Sequence, residues 1–120
     1  MSDEQQDVLF RKATEAPFSG TLLHNRAAGS YQCANCGTEL FKSDDKYESG
    51  ISSLAGWPSF AAAARSGAVK LLEDNSHDMR RTEVVCGSCG GHLGHIFPDG
   101  SSPTGEHYCI NSAALEFTRA

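Results

Sequence analysis

The apolar positions of this chain fall into short clusters, and only the first has a helical look. Residues 3–13, DEQQDVLFRKA, predict a weak N-terminal helix, with Ser2 or Asp3 placed to cap it and Gln5 to close a capping box. The next segment, TEAPFSG at 14–20, leaves the helix through Pro17 and Gly20 and is expected to serve as a packing arm. Beyond it, short β-rich runs alternate with glycine-rich turns. They predict strands at Tyr31–Cys33, Glu39–Lys42, Val69–Leu72, Thr82–Val85, His92–Phe97, His107–Asn111 and Leu115–Phe117. Ser59–Arg65, SFAAAAR, predicts a two-turn helix stopped by Gly67. The class expected from these elements is mainly β and largely antiparallel, with a little helix.

Composition narrows the function. A chain of 120 residues is expected to form one domain, 1–120, with residues 1–20 as its N-terminal arm. Its formal charge is −5, with no basic block of the kind that tracks nucleic-acid phosphates. No apolar run approaches the length of a membrane span, and MSDEQQD has neither the basic start nor the apolar centre of a signal peptide. A reducing, cytoplasmic setting is therefore expected, where paired cysteines are more often metal ligands or redox groups than structural disulfides.

There are five cysteines, and their spacing sorts them. Cys33-x-x-Cys36 and Cys86-x-x-Cys89, with 49 residues between, are two turns that can each aim two thiolates at one ion. A closed four-cysteine site, one structural zinc, is the expectation. Such an ion would take the charge to roughly −7, further from any nucleic-acid role. Two rivals stay open: a redox dithiol, which lacks the usual strand–helix setting, and a site in which His92 and His95 replace two of the cysteines. A zinc-dependent hydrolase or deaminase would need an open metal position, which four cysteines do not leave.

Cys109 is the odd one out. Set in His107-Tyr-Cys-Ile-Asn-Ser, it reads either as a buried inert thiol or as a nucleophile. A free thiol is only about 3% thiolate at pH 7, so a nucleophile needs polar help. His92, His95 and His107 are at hand to give it.

These motifs resemble those of the B-type methionine-R-sulfoxide reductases. The resemblance runs through TEAPFSG (14–20), YQCANCGTELF (31–41), YESG (47–50), GWPSF (56–60), RTEVVCGSCGGHLGHIFPDG (81–100), PTG (103–105) and YCINSAALEF (108–117). It implies a tent-like fold of two antiparallel sheets with zinc away from the active site. It implies that Cys109 attacks the sulfoxide sulfur of oxidised methionine in proteins and becomes a sulfenic acid, which a reductant returns to the thiol. His95 and His92 would donate protons, Asp99 of FPDG would orient them or hold water, and Asn111 would hydrogen-bond within the site. Trp57, Phe97 and His107 would form the substrate pocket, the indole packing on the substrate methyl group; without the resemblance Trp57 reads as a core aromatic.

Two departures from the family pattern stand out. Many members carry a resolving cysteine directly before GWPSF; here Ala55 takes that place and the loop, ISSLA, is four residues longer. With the other cysteines committed to metal, an external thiol from thioredoxin, glutaredoxin or glutathione is expected to restore Cys109. In addition, His107 stands where the family usually has arginine. A non-catalytic zinc-ribbon-like interaction module is the alternative from another class, disfavoured by the spare cysteine and by the GWPSF and CINS stretches.

Overall fold

A computed structural model describes residues 1–120. Helix α1 spans Asp3–Arg11 and carries the expected capping box: the Gln5 N–H donates to Ser2 Oγ at 3.2 Å, and the Ser2 N–H donates to Gln5 Oε1 at 2.9 Å. It ends two residues earlier than expected because Lys12 adopts left-handed backbone (φ 56°) and turns its N–H back to the Asp7 carbonyl. Val8 and Leu9 are its buried face.

Eight strands follow: β1 Gly29–Cys33, β2 Glu39–Lys42, β3 Ser59–Phe60, β4 Val69–Asp74, β5 Arg81–Cys86, β6 His92–Pro98, β7 Glu106–Ile110 and β8 Leu115–Arg119. They form two antiparallel sheets, ordered β2-β1-β8 and β3-β7-β6-β5-β4. The two-sheet, mainly β fold with one short helix is thus the one the resemblance implies. An aromatic cluster joins the sheets: Phe41 of β2 stacks on Phe60 of β3 with centroids 4.4 Å apart, and Tyr31 of β1 meets Phe60 edge-on at 5.0 Å. Each such pair contributes about 0.5–1.5 kcal/mol beyond its buried area. No helix is long and apolar enough to cross a membrane.

The helix expected over Ser59–Arg65 does not form. Ser59 and Phe60 instead pair with Cys109 and Tyr108 of β7 as a short edge strand. The backbone then spends its donors elsewhere: the Ala61 N–H goes to the Asp45 carbonyl at 2.7 Å and the Ala64 N–H to the Leu40 carbonyl at 2.8 Å. A two-turn helix is marginal by itself, so the buried Phe60 stack and these long-range bonds outweigh the alanine propensity. This correction bears on the site, because β3 is the strand that flanks the odd cysteine.

Candidate active site and metal centre

The two Cys-x-x-Cys turns sit at the ends of hairpins from different sheets, the first between β1 and β2, the second between β5 and β6. They are built alike. The Gly37 N–H donates to the Cys33 carbonyl and the Gly90 N–H to the Cys86 carbonyl, both at 2.9 Å. The four sulfurs lie within 4.8 Å of one another; Cys33 and Cys89 are 3.7 Å apart, Cys36 and Cys86 3.5 Å. Tetrahedral thiolate coordination at about 2.3 Å requires sulfurs roughly 3.8 Å apart, so the donor set fits one closed metal site. His92 and His95 lie outside this cluster, which answers the mixed-ligand alternative.

Cys109, on β7, has no part in it. Its sulfur opens into a cleft of about 170 Å³ lined by Thr14, Ser53, Leu54, Trp57, Arg81, Gly94, His95, Phe97 and Asn111. Its sulfur donates to the Leu54 carbonyl oxygen at 3.8 Å. Burial pushes the thiol up to about 12, and the Glu15 carboxylate adds repulsion. Cys109 is therefore held as a thiol, and no histidine hydrogen-bonds it.

The two histidines reach the site through a strand irregularity. Residues three apart on a regular strand face opposite sides. Between Val84 and Val85 the register of β5 with β6 slips: Val84 pairs with Gly94 but Val85 with His92, so Leu93 is an extra residue. His92 and His95 consequently share a face, with ring centroids 5.5 Å apart. His95 stands directly opposite Cys109 in the β6–β7 ladder. Their close approach depends on Gly94, where any Cβ would overlap the Cys109 carbonyl.

Each ring is held by a buried carboxylate. His95 Nε2 is 2.7 Å from Asp74 Oδ2 of β4, and His92 Nδ1 is 2.7 Å from Glu83 Oε2 of β5. A carboxylate accepts, so these nitrogens carry the protons. Burial lowers both imidazoles, while the carboxylates oppose that shift. Asp74 is held well below the usual carboxylate range, chiefly by His95. In the neutral form His95 Nδ1 is left as the acceptor.

The whole chain now bears comparison with known proteins. The model of the SelR domain matches residues 1–119. A peptide methionine sulfoxide reductase MsrB of Methanosarcina mazei is 56% identical over 119 residues, 99% of this chain and 82% of that protein. The proteins of the same name in Photorhabdus laumondii and Leptospira interrogans are 53% and 51% identical, over 98% and 99% of this chain and 84% and 88% of their own lengths. The chain belongs to the MsrB family.

Family membership identifies the chain as a methionine sulfoxide reductase, an oxidoreductase, and the geometry shows how the expected residues are distributed. Trp57, Phe97, His95, Asn111 and Cys109 meet in the one cleft. His92 stands behind His95 as its neighbour. Asp99 does not orient either histidine: it accepts from Tyr47 Oη at 2.8 Å and from the Ser101 N–H at 2.9 Å, and lies 3.3 Å from His107 Nδ1. His107 is 0% exposed and packs beside Tyr47, so in this structure it stands outside the cleft that Cys109 opens into. Burial holds its imidazole down against the pull of Asp99.

The carboxylates that do orient the histidines, Asp74 and Glu83, escape a reading of the sequence, and so does Arg81. Asp74 lies 21 residues from its partner, and only the pairing of β4 with β5 and β5 with β6 brings it there. Glu83 and Arg81 did carry a signal, as charged residues within the RTEVVC strand. Arg81 lines the cleft with its side chain 23% exposed, 3.6 Å from Asp74. Ser53 and Leu54 of the 51–55 loop also line the cleft.

Proposed function

We propose that this protein reduces methionine-R-sulfoxide in peptides and proteins, with Cys109 as oxygen acceptor and His95 as proton donor. The observation that carries the reading is the pairing of the one cysteine outside the metal cluster with a carboxylate-held imidazole directly across the ladder, in a cleft that Trp57 and Phe97 also line. Trp57 and Phe97 offer an apolar wall for the substrate methyl group, which gains positive character as the sulfoxide is activated. With the thiol held protonated, activation has to start on the substrate. His95 in its imidazolium form, stabilised by Asp74, donates a proton to the sulfoxide oxygen and makes the sulfur electrophilic. Oxygen passes from the substrate sulfur to Cys109: the S–O bond of the sulfoxide breaks and a new one forms on the cysteine. The substrate sulfur gains two electrons, Cys109 loses two, and the thiol proton replaces the one His95 gave.

The product is a thioether and a Cys109 sulfenic acid. An external thiol, from thioredoxin, glutaredoxin or glutathione, displaces water to form a mixed disulfide. A second thiol then attacks its sulfur, releasing the external disulfide and the Cys109 thiol. No cysteine stands at position 55, and the other four are gathered in the metal cluster, which supports this one-cysteine cycle. Zinc is the ion proposed there, held by Cys33, Cys36, Cys86 and Cys89 as a closed structural site.

The test is direct. Mixed epimers of a blocked methionine sulfoxide are incubated with the protein and dithiothreitol, and the epimers are resolved. Loss of the R form alone, abolished by Cys109→Ser, is expected; survival of both epimers with the wild-type protein would overturn the reading. Mass spectrometry after one turnover should find Cys109 oxidised singly or joined to the added thiol. An intramolecular Cys109 disulfide would end the one-cysteine cycle.

A further inference from the structure

The TEAPFSG arm, expected only to pack, closes one side of the cleft. Its Glu15 is 4% exposed and binds two other segments at once, through three residues. The Glu15 N–H donates to Asn111 Oδ1 at 3.0 Å, and the Glu15 carbonyl accepts from Trp57 Nε1 at 3.0 Å. Its carboxylate reaches past β7, where Oε1 accepts the Ala113 N–H at 2.8 Å, while Oε2 is buried without a partner. Asn111 is locked from its other end as well, Nδ2 donating to the Leu93 carbonyl at 2.9 Å. The amide of Asn111 and the indole N–H of Trp57 are therefore both committed to backbone. The indole has no second polar group, the Asn111 amide keeps one Nδ2 hydrogen and one Oδ1 lone pair, and what both present to the cleft is set by where Glu15 sits.

The fit around this residue is close. A Cβ on Gly20 would come within 2.6 Å of Glu15 Oε2 and overlap Ser112 Cβ, so only glycine lets the arm lie against the segment after β7. The Phe18 N–H donates to the Gly56 carbonyl at 2.8 Å, pinning the arm beside Trp57. The neighbour of Glu15, Thr14, lines the cleft itself.

We propose that Glu15 is a positioning residue for the reaction: its carboxylate anchors the arm to Ala113, and its backbone then fixes Trp57 and Asn111 against Cys109. The proposal rests on the sulfoxide-reductase reading but makes a separate demand. Reach, rather than charge, is what the anchor needs. Glutamine keeps the reach and a carbonyl acceptor for the Ala113 N–H but loses the charge. Aspartate keeps the charge and is one methylene short.

Trp57 is the only tryptophan, so its emission reports this geometry without background. Glu15→Gln, Glu15→Asp and Glu15→Ala are compared with the metal-loaded wild-type protein in emission maximum, acrylamide quenching, kcat/KM for the R-sulfoxide and thermal melting. Displacing a positioned group by about 1 Å costs on the order of 10²-fold in rate. Glu15→Asp should red-shift the emission, increase quenching and lower kcat/KM by that order, and Glu15→Gln should return both to near wild type. Should Glu15→Ala fail to fold, the Gln and Asp variants still decide the matter. Wild-type emission and kcat/KM in Glu15→Asp, or equal losses in the Gln and Asp variants, would overturn the proposal. A wild-type protein inert toward the sulfoxide would sink the reductase reading instead, while the fluorescence comparison would stand or fall separately.

Discussion

Asp74 and His95 show how far a single buried pair can tune this site. Burial lowers the imidazole of His95 and Asp74 raises it. Arg81, 3.6 Å from the same carboxylate, and Glu83, bonded to the neighbouring His92, pull in opposite directions. In the proposed reaction the competent proton donor is the His95 imidazolium, present below the folded pKa and lost as pH rises through it. Asp74→Asn removes the raising influence, so the falling limb of kcat should move to lower pH. At neutral pH kcat should drop by about 10–10²-fold, recovering in part on acidification. A pH–rate profile with an unmoved limb would assign the proton to another group. The histidines themselves were legible from their clustering near Cys109. Of their partners, Glu83 stood out only as a charge within the RTEVVC strand and Asp74 not at all, because an acidic residue on a strand is by default a solvated one and nothing local marks Asp74 as buried.

At the scale of elements, the 51–55 loop covers the Cys109 thiol. Leu54 and Ser53 stand on the cleft wall, and the Leu54 carbonyl faces the Cys109 sulfur at 3.8 Å. Desolvation is the largest cause of the raised thiol. Removing Ile51–Leu54, which restores the shorter family spacing, should rehydrate the sulfur and lower its pKa. Alkylation of Cys109 by iodoacetamide at pH 7–8 is then expected to quicken about tenfold for each unit the thiol falls. An unchanged alkylation rate would show that β3 and the arm, and not this loop, shield the thiol. The strands were foreseen to within a few residues because period-2 runs between glycines are a local signal. The segment at 59–65 was misjudged because its alanines favour helix locally, whereas its first two residues are claimed by β7 and by the Phe41 stack.

The whole molecule is held at two places, an aromatic core between the sheets and the four-cysteine clamp across their hairpins. Zinc binding at such sites is worth about 10–16 kcal/mol, against a whole-domain stability of about 5–15 kcal/mol. Metal removal is therefore expected to unfold the chain or to lower its melting temperature by tens of degrees. A strong chelator should release one equivalent of zinc as the near-UV circular dichroism is lost. Melting and activity that persist in the zinc-free protein would mean that the Tyr31, Phe41 and Phe60 cluster suffices without the clamp.

Residue types and their spacing picked out the four cysteines that cluster, the one that does not, the strand-rich class and the family, since each depends on short stretches of neighbouring residues. Ala55 in place of a cysteine was likewise visible there, and with it the expectation of an external reductant. The tertiary structure alone decided which carboxylate holds which histidine, that Asp99 belongs with Tyr47 and His107, and that Glu15 joins Trp57 to Asn111. Apart from Glu83–His92 and Asp99–His107, 9 and 8 residues apart, these pairings span 21 to 96 residues of sequence. They follow from one slipped register in β6, the close approach at Gly94 and the arm folding back over β7, all of which are properties of packing and none of local sequence.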